Sequence, residues 1–263
     1  MISSKQIRGS LRVGRSKFIE GRTIMPSFPN FKMIYVLTKK SSPYGELGPY
    51  ELKNEQGQII ENVWQFSKVY ENVPQVSIPY SSGNKKIVWE WPKECHLDQQ
   101  GILTNEYWNW RLTGKNNSEP VRNPVGWTHC CRDSNEGKAF YKACLFSVEK
   151  DEPISSTNPR LSYIEARKRI YFPLYMQAVV KEPKYLSLKQ MLNNGENLLI
   201  TEVDGPHQES LEYYKEKYNI KDDFIVDESI EVNEANMAIL LNDPKHPFGH
   251  GYCLAWTLLC DRS

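Results

Sequence analysis

A carboxylate, an amide and an ammonium group recur at helical spacing in one short stretch of the sequence. Glu61, Gln65 and Lys68 are separated by four and three residues, so a helix would place them side by side on one face. Trp64 and Phe66 lie between them, and large aromatic side chains are costly to expose to water. Two interpretations follow: a solvated helix face with a weak ion pair, or one wall of a polar pocket lined by aromatic rings.

The residues just before this stretch predict turns. Glycines and prolines surround a short stretch at residues 50–53 that is expected to be extended. They are Pro43, Gly45, Gly48, Pro49 and Gly57. A loop of this composition could close over a pocket.

The two segments together resemble the NADAR (YbiA-like) N-glycosidase superfamily, with this chain as a divergent member. The family's helix motif is E-H-x-x-Q-A-x-K, and residues 61–68 keep its E-x-x-x-Q-x-x-K frame with Asn62 in place of the histidine. The family's loop, G-x-x-S-N-F/Y-P, corresponds to residues 45–50. A second block, W-G-x-G, corresponds to residues 248–251 with Phe248 in place of the tryptophan. The middle of the chain does not match.

The resemblance implies hydrolysis of the N-glycosidic bond of a ribosylated base, nucleotide or ADP-ribose derivative, including removal of ADP-ribosyl-guanine. Such cleavage passes through a sugar with oxocarbenium character, which a carboxylate can stabilise while it activates water. Glu61 is the expected catalytic carboxylate, and Lys68 is expected to orient it or to hold a phosphate. Trp64 or Tyr50 could stack on the base. This chemistry needs no metal and no cofactor.

We expect the substrate to be bound by residues from both ends of the chain and from a long irregular segment between them. The loop at residues 45–50, the helix and residues 248–251 are predicted to meet at one cleft. The expected binding residues are Gly45, Tyr50, Asn62, Trp64, Gln65, Arg122, Asp204, His207, Phe248, Gly249 and His250.

Two further motifs carry polar groups at the ends of predicted elements. Glu202 and Asp204 alternate onto one side of a strand end, and His207 follows at a helix start, where an anion is favoured. This set fits acid–base chemistry or a phosphate site, and equally an Asp-capped turn. Near the C-terminus, glycines on both sides of His250 would let backbone amides approach a ligand closely. For His246, a structural role is the better interpretation.

Composition limits the classes of function. The chain has 263 residues and a net charge of +1, so no global field favours nucleic acid or membrane. It has no membrane-length apolar run and no secretory h-region, so we expect a cytoplasmic protein whose six cysteines are thiols. No CxxC pair is present, and metal binding by Cys95 and His96, or by His129, Cys130 and Cys131, is poorly supported.

We predict one α-rich α+β domain with a small, NADAR-like sheet at residues 25–263, preceded by a basic arm at residues 1–24. The arm could bind along the phosphates of a nucleic acid, or it could be a solvated terminus that is not needed for folding. Strands are expected at residues 32–38, 86–91 and 197–203. Helices are expected at residues 105–113, 186–192, 208–218, 233–241 and 252–259, with one more between its Ser162 cap and Pro173.

Two other functions remain open at this point. A nucleotide- or DNA-base-modifying enzyme that transfers a glycosyl or deoxyribosyl group could use the same carboxylate and aromatic pocket. A non-enzymatic DNA- or RNA-binding protein would use the basic arm, Arg122, Arg132 and the basic patch at residues 167–169.

Overall fold

The computed structural model describes residues 8–36, 42–69, 88–89, 96–100, 102–122, 145–146 and 163–261. The strands are β1 (Leu11–Arg15), β2 (Lys17–Ile19), β3 (Arg22–Ile24), β4 (Lys32–Tyr35), β5 (Lys68–Val69), β6 (Val88–Trp89), β7 (Val121–Arg122), β8 (Leu145–Phe146), β9 (Leu198–Glu202) and β10 (Ser229–Glu231). The α-helices are α1 (Ile60–Gln65), α2 (Asn105–Lys115), α3 (Tyr163–Ala166), α4 (Phe172–Val179), α5 (Pro183–Asn193), α6 (Leu211–Tyr218), α7 (Glu234–Asn242) and α8 (His250–Cys260). Helices with a small mixed sheet confirm the predicted α+β class.

The described residues divide into two compact units. The first comprises the chain up to Leu52 and again from Tyr175, and the second runs from Lys53 to Leu174. The prediction of one domain over residues 25–263 stays a prediction. The first unit joins both ends of the chain because β9 and β10, late in the chain, both pair with β1.

The first unit is built on a four-stranded sheet in the order β10-β1-β9-β4. Strand β9 runs parallel to both β1 and β4, and Ile200 lies opposite Val13 on one side and Ile34 on the other. All five residues of β9 are buried, as expected for a strand with neighbours on both edges and cover on both faces. The predicted strand at residues 197–203 is confirmed.

The N-terminal segment is not a detached basic arm. Residues 11–15 form β1, which lies between β10 and β9, and its side chains from Leu11 to Gly14 are buried. Arg12 is accommodated because its guanidinium donates to the Ser229 hydroxyl at 2.8 Å and carbonyl at 2.9 Å and lies 4.0 Å from the Phe28 ring centre. Residues 1–24 therefore contribute a central strand, and deleting them should prevent the first unit from folding.

The helices of the first unit cover the sheet. Helix α8 packs on β9 and β1 through buried residues that include Leu254 and Leu258. Helix α7 begins at the predicted place, because Asn233 caps it by accepting the Asn236 N–H at 2.9 Å. The predicted helix at residues 208–218 begins as a 3₁₀ turn, Gln208–Ser210, and continues as α6.

The second unit is rich in aromatic side chains. Helix α2 is capped as predicted, with the Thr104 hydroxyl accepting the Tyr107 N–H at 3.2 Å. Tyr107 joins Val69 and Leu103 in a buried cluster. Helix α1 ends at Gln65, so the predicted helix over residues 61–68 is too long.

The predicted break at Pro173 is replaced by a local widening of the helix. A π turn spans Arg167–Tyr171 directly before α4, and α4 then continues through Pro173 to Val179. The basic patch expected at residues 167–169 is also incomplete, because Arg167 is 1% exposed. The Ser162 cap, Arg132 and the thiols Cys95, Cys130 and Cys131 lie outside the described residues.

Candidate functional site

Glu61, Gln65 and Lys68 form a chain of hydrogen bonds in the second unit. The Gln65 amide donates to Glu61 Oε1 at 2.6 Å, and Lys68 Nζ donates to Gln65 Oε1 at 2.7 Å. All three side chains are buried. The predicted adjacency is confirmed, although Lys68 reaches Gln65 from β5 and not from the helix. The catalytic and binding roles of these residues stay predictions.

Arg122 adds a positive charge to the same carboxylate. Its Nε lies 3.4 Å from Glu61 Oε1, and its side chain is 23% exposed. Gln65 and Arg122 thus approach the same oxygen of Glu61. Among the described residues, none donates a hydrogen bond to Oε2. The contacts that the described residues make with this carboxylate are therefore all on one oxygen.

Asn62 and Trp64, both expected to bind substrate, have structural partners. The Asn62 amide group donates to the carbonyls of Asn117 and Glu119, and its oxygen accepts the Val121 N–H at 2.7 Å. Asn62 is therefore completely engaged in tying α1 to the segment that leads into β7. Trp64 is 8% exposed and packs with the rings of Tyr163 and Tyr171 at centroid distances of 6.1 and 5.0 Å.

The loop at residues 45–50 is closed on itself. Its 3₁₀ turn uses the N–H groups of Leu47 and Gly48 in bonds to the Tyr44 and Gly45 carbonyls. The Leu47 carbonyl accepts the Tyr175 hydroxyl at 2.6 Å. Gly45 and Tyr50 are both buried, and residues 49–51 form a turn where an extended piece was expected. The amides at Leu47 and Gly48 are thus already occupied within the turn.

The glycine segment at residues 248–251 receives an internal carboxylate. Glu202 is completely buried at the end of β9, and its Oε2 accepts the Gly251 N–H at 2.5 Å. A Cβ atom placed on Gly249 would lie 2.6 Å from Glu202 Oε2. The glycines were expected to let backbone amides approach a ligand closely, and the group that lies against them in the structure is the carboxylate of Glu202.

His250 and Phe248 belong to the same packed region of the first unit. His250 is 6% exposed; its Nε2 donates to the Val36 carbonyl, and its Nδ1 lies 3.5 Å from Glu202 Oε2. Phe248 packs against Tyr252 at 5.5 Å between ring centres. Glu202 therefore belongs to this internal packing and not to an acid pair with the partly exposed Asp204.

His207 lies in a charged cluster at the carboxyl edge of the sheet. Its ring and the carboxylates of Glu209 and Glu228 offer atoms within 4.8 Å of one another, a set that could hold a metal ion. Lys17 Nζ lies 2.8 Å from Glu209 and 2.5 Å from Glu228, so an ammonium group supplies positive charge there. Partial burial, followed by the charge of Arg15, lowers the pKa of His207 despite the opposing carboxylate of Glu228.

A polar network around Asp243 was missed at the sequence level. The Asp243 carboxylate accepts the hydroxyls of Tyr213 at 2.6 Å and Tyr214 at 2.5 Å and lies 2.7 Å from His246 Nδ1. The signal available in the sequence was the short spacing of Asp243 and His246, on either side of a proline. The sequence predicted a structural role for His246 but no partner, and the structure places Asp243 beside it.

A cavity of about 280 Å³ lies in the second unit, beside α2. Its lining contains aromatic and amide side chains, namely Phe66, Asn109, Trp110, Thr113, Gly114 and Asn117. No predicted site residue belongs to this lining.

No family model, no curated protein and no solved structure matches the chain. Within the described part of the chain, every helix is too short or too polar to cross a membrane.

Proposed function

We propose that the protein is an N-glycosidase with a NADAR-like site, and that Glu61 is its catalytic carboxylate. The observation that supports the proposal is the difference between the two carboxylate oxygens of Glu61 in their contacts with described residues. Gln65 and Arg122 both approach Oε1, whereas no described residue donates a hydrogen bond to Oε2. A buried carboxylate held through one oxygen can use the other on a reacting molecule.

Glu61 would act at the anomeric carbon of the sugar. As the bond to the base breaks, the carboxylate stabilises the positive charge that develops on the sugar ring and accepts a proton from the attacking water. Lys68 would act through Gln65, because its ammonium group fixes the amide oxygen and so directs the amide nitrogen towards Glu61. Gln65 and Lys68 thus position the catalytic carboxylate of Glu61 and need not touch the substrate.

Arg122 fits the recognition of a phosphate. Its guanidinium group is partly exposed and lies beside the carboxylate, and arginine binds phosphate oxygens through paired hydrogen bonds. The substrate class follows from this pair of groups together with the family resemblance. It is a ribosylated base that carries phosphate, such as a nucleotide or an ADP-ribosylated guanine.

The proposal is tested by product analysis. The wild-type protein is incubated separately with NAD, with an ADP-ribosylated guanine nucleoside and with ADP-ribosylated DNA, and released base and sugar are measured by mass spectrometry. We expect the wild type to release base from at least one of them. Glu61→Gln should lower the rate about a hundredfold or more, because it keeps the shape but loses the charge.

Glu106→Gln is the matched control. Glu106 occupies the second position of α2, as Glu61 does in α1, but it is exposed. The control variant should retain the wild-type rate. Near-normal turnover by Glu61→Gln would overturn the assignment of Glu61, and sugar transfer to an acceptor other than water would replace hydrolysis with glycosyl transfer.

A further inference from the structure

In the first unit, His246 lies within hydrogen-bonding distance of Ser210 on one side of its ring and of Asp243 on the other. Ser210 Oγ lies 3.1 Å from His246 Nε2, and His246 Nδ1 lies 2.7 Å from Asp243 Oδ2. The serine and the histidine ring are partly exposed, whereas the Asp243 side chain is 1% exposed. A nucleophile, a base and a buried carboxylate therefore stand in the order that activates a hydroxyl group.

The hydrogen bonds of Asp243 determine which nitrogen of His246 carries the proton. Asp243 accepts hydrogen bonds from the hydroxyls of Tyr213, Tyr214 and Tyr218 and from the N–H groups of Lys245 at 3.1 Å and His246 at 3.2 Å. Burial alone would raise the pKa of Asp243, but hydrogen bonds from His246, Tyr213 and Tyr214 outweigh it and hold that pKa well below its ordinary value. These donors favour the ionised carboxylate, to which His246 Nδ1 donates at 2.7 Å.

This tautomer leaves Nε2 as the acceptor that faces Ser210. In the opposite tautomer, an unprotonated Nδ1 would face the Asp243 carboxylate at 2.7 Å, and two acceptors at that distance repel each other. The neutral ring therefore accepts the Ser210 hydroxyl proton at Nε2. Tyr214, whose hydroxyl is 2.9 Å from Nδ1 and donates to Asp243, holds the same ring orientation.

The backbone carries Ser210 at a favourable place. The connection from β9 to α6 begins at the carboxyl edge of the parallel strands, where α/β sheets commonly bind ligands. Ser210 directly precedes α6, so it lies at the positive end of the helix dipole, which favours developing negative charge on its oxygen. The chain order Ser, Asp, His is also an order found in serine hydrolases, although no glycines flank this serine.

We propose that Ser210, His246 and Asp243 form a second catalytic site, a serine nucleophile that takes an acyl group from a small ester. It is independent of Glu61 and of the N-glycosidase proposal. Ser210 is the nucleophile and His246 the general base. Asp243 is a positioning residue that acts through His246, and Tyr213 and Tyr214 hold Asp243 in place.

The acyl-transfer step balances without any further reactant. Ser210 Oγ forms a bond to the ester carbonyl carbon while its proton moves to His246 Nε2. The bond from that carbon to the leaving alcohol oxygen then breaks, and His246 Nε2 returns the proton to the alcohol. Water repeats the sequence on the acyl-serine, releasing the acid and restoring Ser210.

The test uses an electrophile that records the nucleophile directly. The full-length protein is incubated with a fluorophosphonate, and the modified residue is located by peptide mass spectrometry. Ser210 Oγ should bond to phosphorus with loss of fluoride. Ser210→Ala should abolish this labelling, and p-nitrophenyl acetate hydrolysis should fall at least about a hundredfold in the same variant. Ser187→Ala removes an exposed serine of α5 and should change neither result.

Two further variants separate chemistry from folding. His246→Gln should fold, as judged by circular dichroism, and lose labelling as Ser210→Ala does. Asp243→Asn should reduce the labelling rate about tenfold to a thousandfold while Ser210 remains the labelled residue. If the folded wild type is not labelled at Ser210, or if folded His246→Gln is labelled at the wild-type rate, the proposal is overturned.

Discussion

Glu61 and Glu202 are both buried carboxylates, but one is contacted by side chains and the other by backbone N–H groups. Glu202, in the first unit, accepts backbone N–H groups from Val203 at 2.8 Å and Gly251 at 2.5 Å. Glu61, in the second unit, is approached by the side chains of Gln65 and Arg122. Backbone donors cannot leave without unfolding the elements that carry them, whereas side-chain donors can reorient.

The two carboxylates also differ in how many of their oxygens the described residues contact. Oε1 of Glu202 accepts the Val203 N–H and Oε2 accepts the Gly251 N–H. Glu61 receives its described partners on Oε1 alone. Burial of a carboxylate is thus not by itself the mark of an active site. What distinguishes Glu61 from Glu202 is that its contacts with the described residues are on Oε1 only.

The largest expected effect is on stability when the two carboxylates are removed in parallel. Glu202→Ala leaves the buried Gly251 N–H without its acceptor and removes the partner of the buried His250 ring. It should lower the free energy of unfolding by about 3–5 kcal/mol. Glu61→Ala should lower it by about 1 kcal/mol, since Gln65 and Arg122 are side chains that can reorient. Denaturant unfolding of both variants measures the difference. Equal losses would contradict the distinction between the two sites.

A smaller effect tests how firmly the strand that carries Lys68 is held. His96 donates to the Lys68 backbone and packs against the rings of Tyr107 and Trp110, at 5.0 and 4.5 Å between ring centres. Burial lowers the pKa of His96 from 6.5 to about 4. Between those values the unfolded chain binds more protons at this residue, so stability falls as pH falls. The contribution lost between about pH 7.5 and about pH 5 is about 2 kcal/mol.

The measurement compares the pH dependence of unfolding in the wild type and in His96→Phe. Phenylalanine keeps an aromatic ring against Tyr107 and Trp110 but does not titrate. The variant should lose less stability than the wild type on going from neutral to acidic pH. Identical pH dependence in both proteins would show that His96 titrates normally and that β5 is more open than the structure indicates.

The smallest effect on stability separates positioning from binding within the Glu61 cluster. Lys68→Met keeps the length of the side chain and removes the charge. Because the buried Gln65 Oε1 loses this donor, the free energy of unfolding should fall by about 1 kcal/mol. Because Lys68 fixes Gln65, which donates to Glu61, kcat should fall about tenfold while KM changes little. A rise in KM at unchanged kcat would instead assign Lys68 to the substrate.

The sequence by itself determined the features that depend on neighbours along the chain. The meeting of Glu61 and Gln65, the caps at Thr104 and Asn233, and the strand β9 all follow from spacing or from a continuous apolar run. In each case the interacting groups are within one helical turn, or the pattern lies inside one element. Propensity and periodicity describe these distances well.

Tertiary structure alone decided which distant groups would satisfy one another. The charge of Arg12 favoured the interpretation of residues 1–24 as a solvated basic arm. The tertiary structure shows that Ser229 accepts hydrogen bonds from the Arg12 guanidinium group, which allows the charge to be buried in the sheet. The glycines near His250 fit any close anion, and the fold supplies Glu202. Ser210 and His246 meet because α6 and the turn after α7 bring them together. Such pairs leave no periodic signal, since their partners are set by the packing of whole elements.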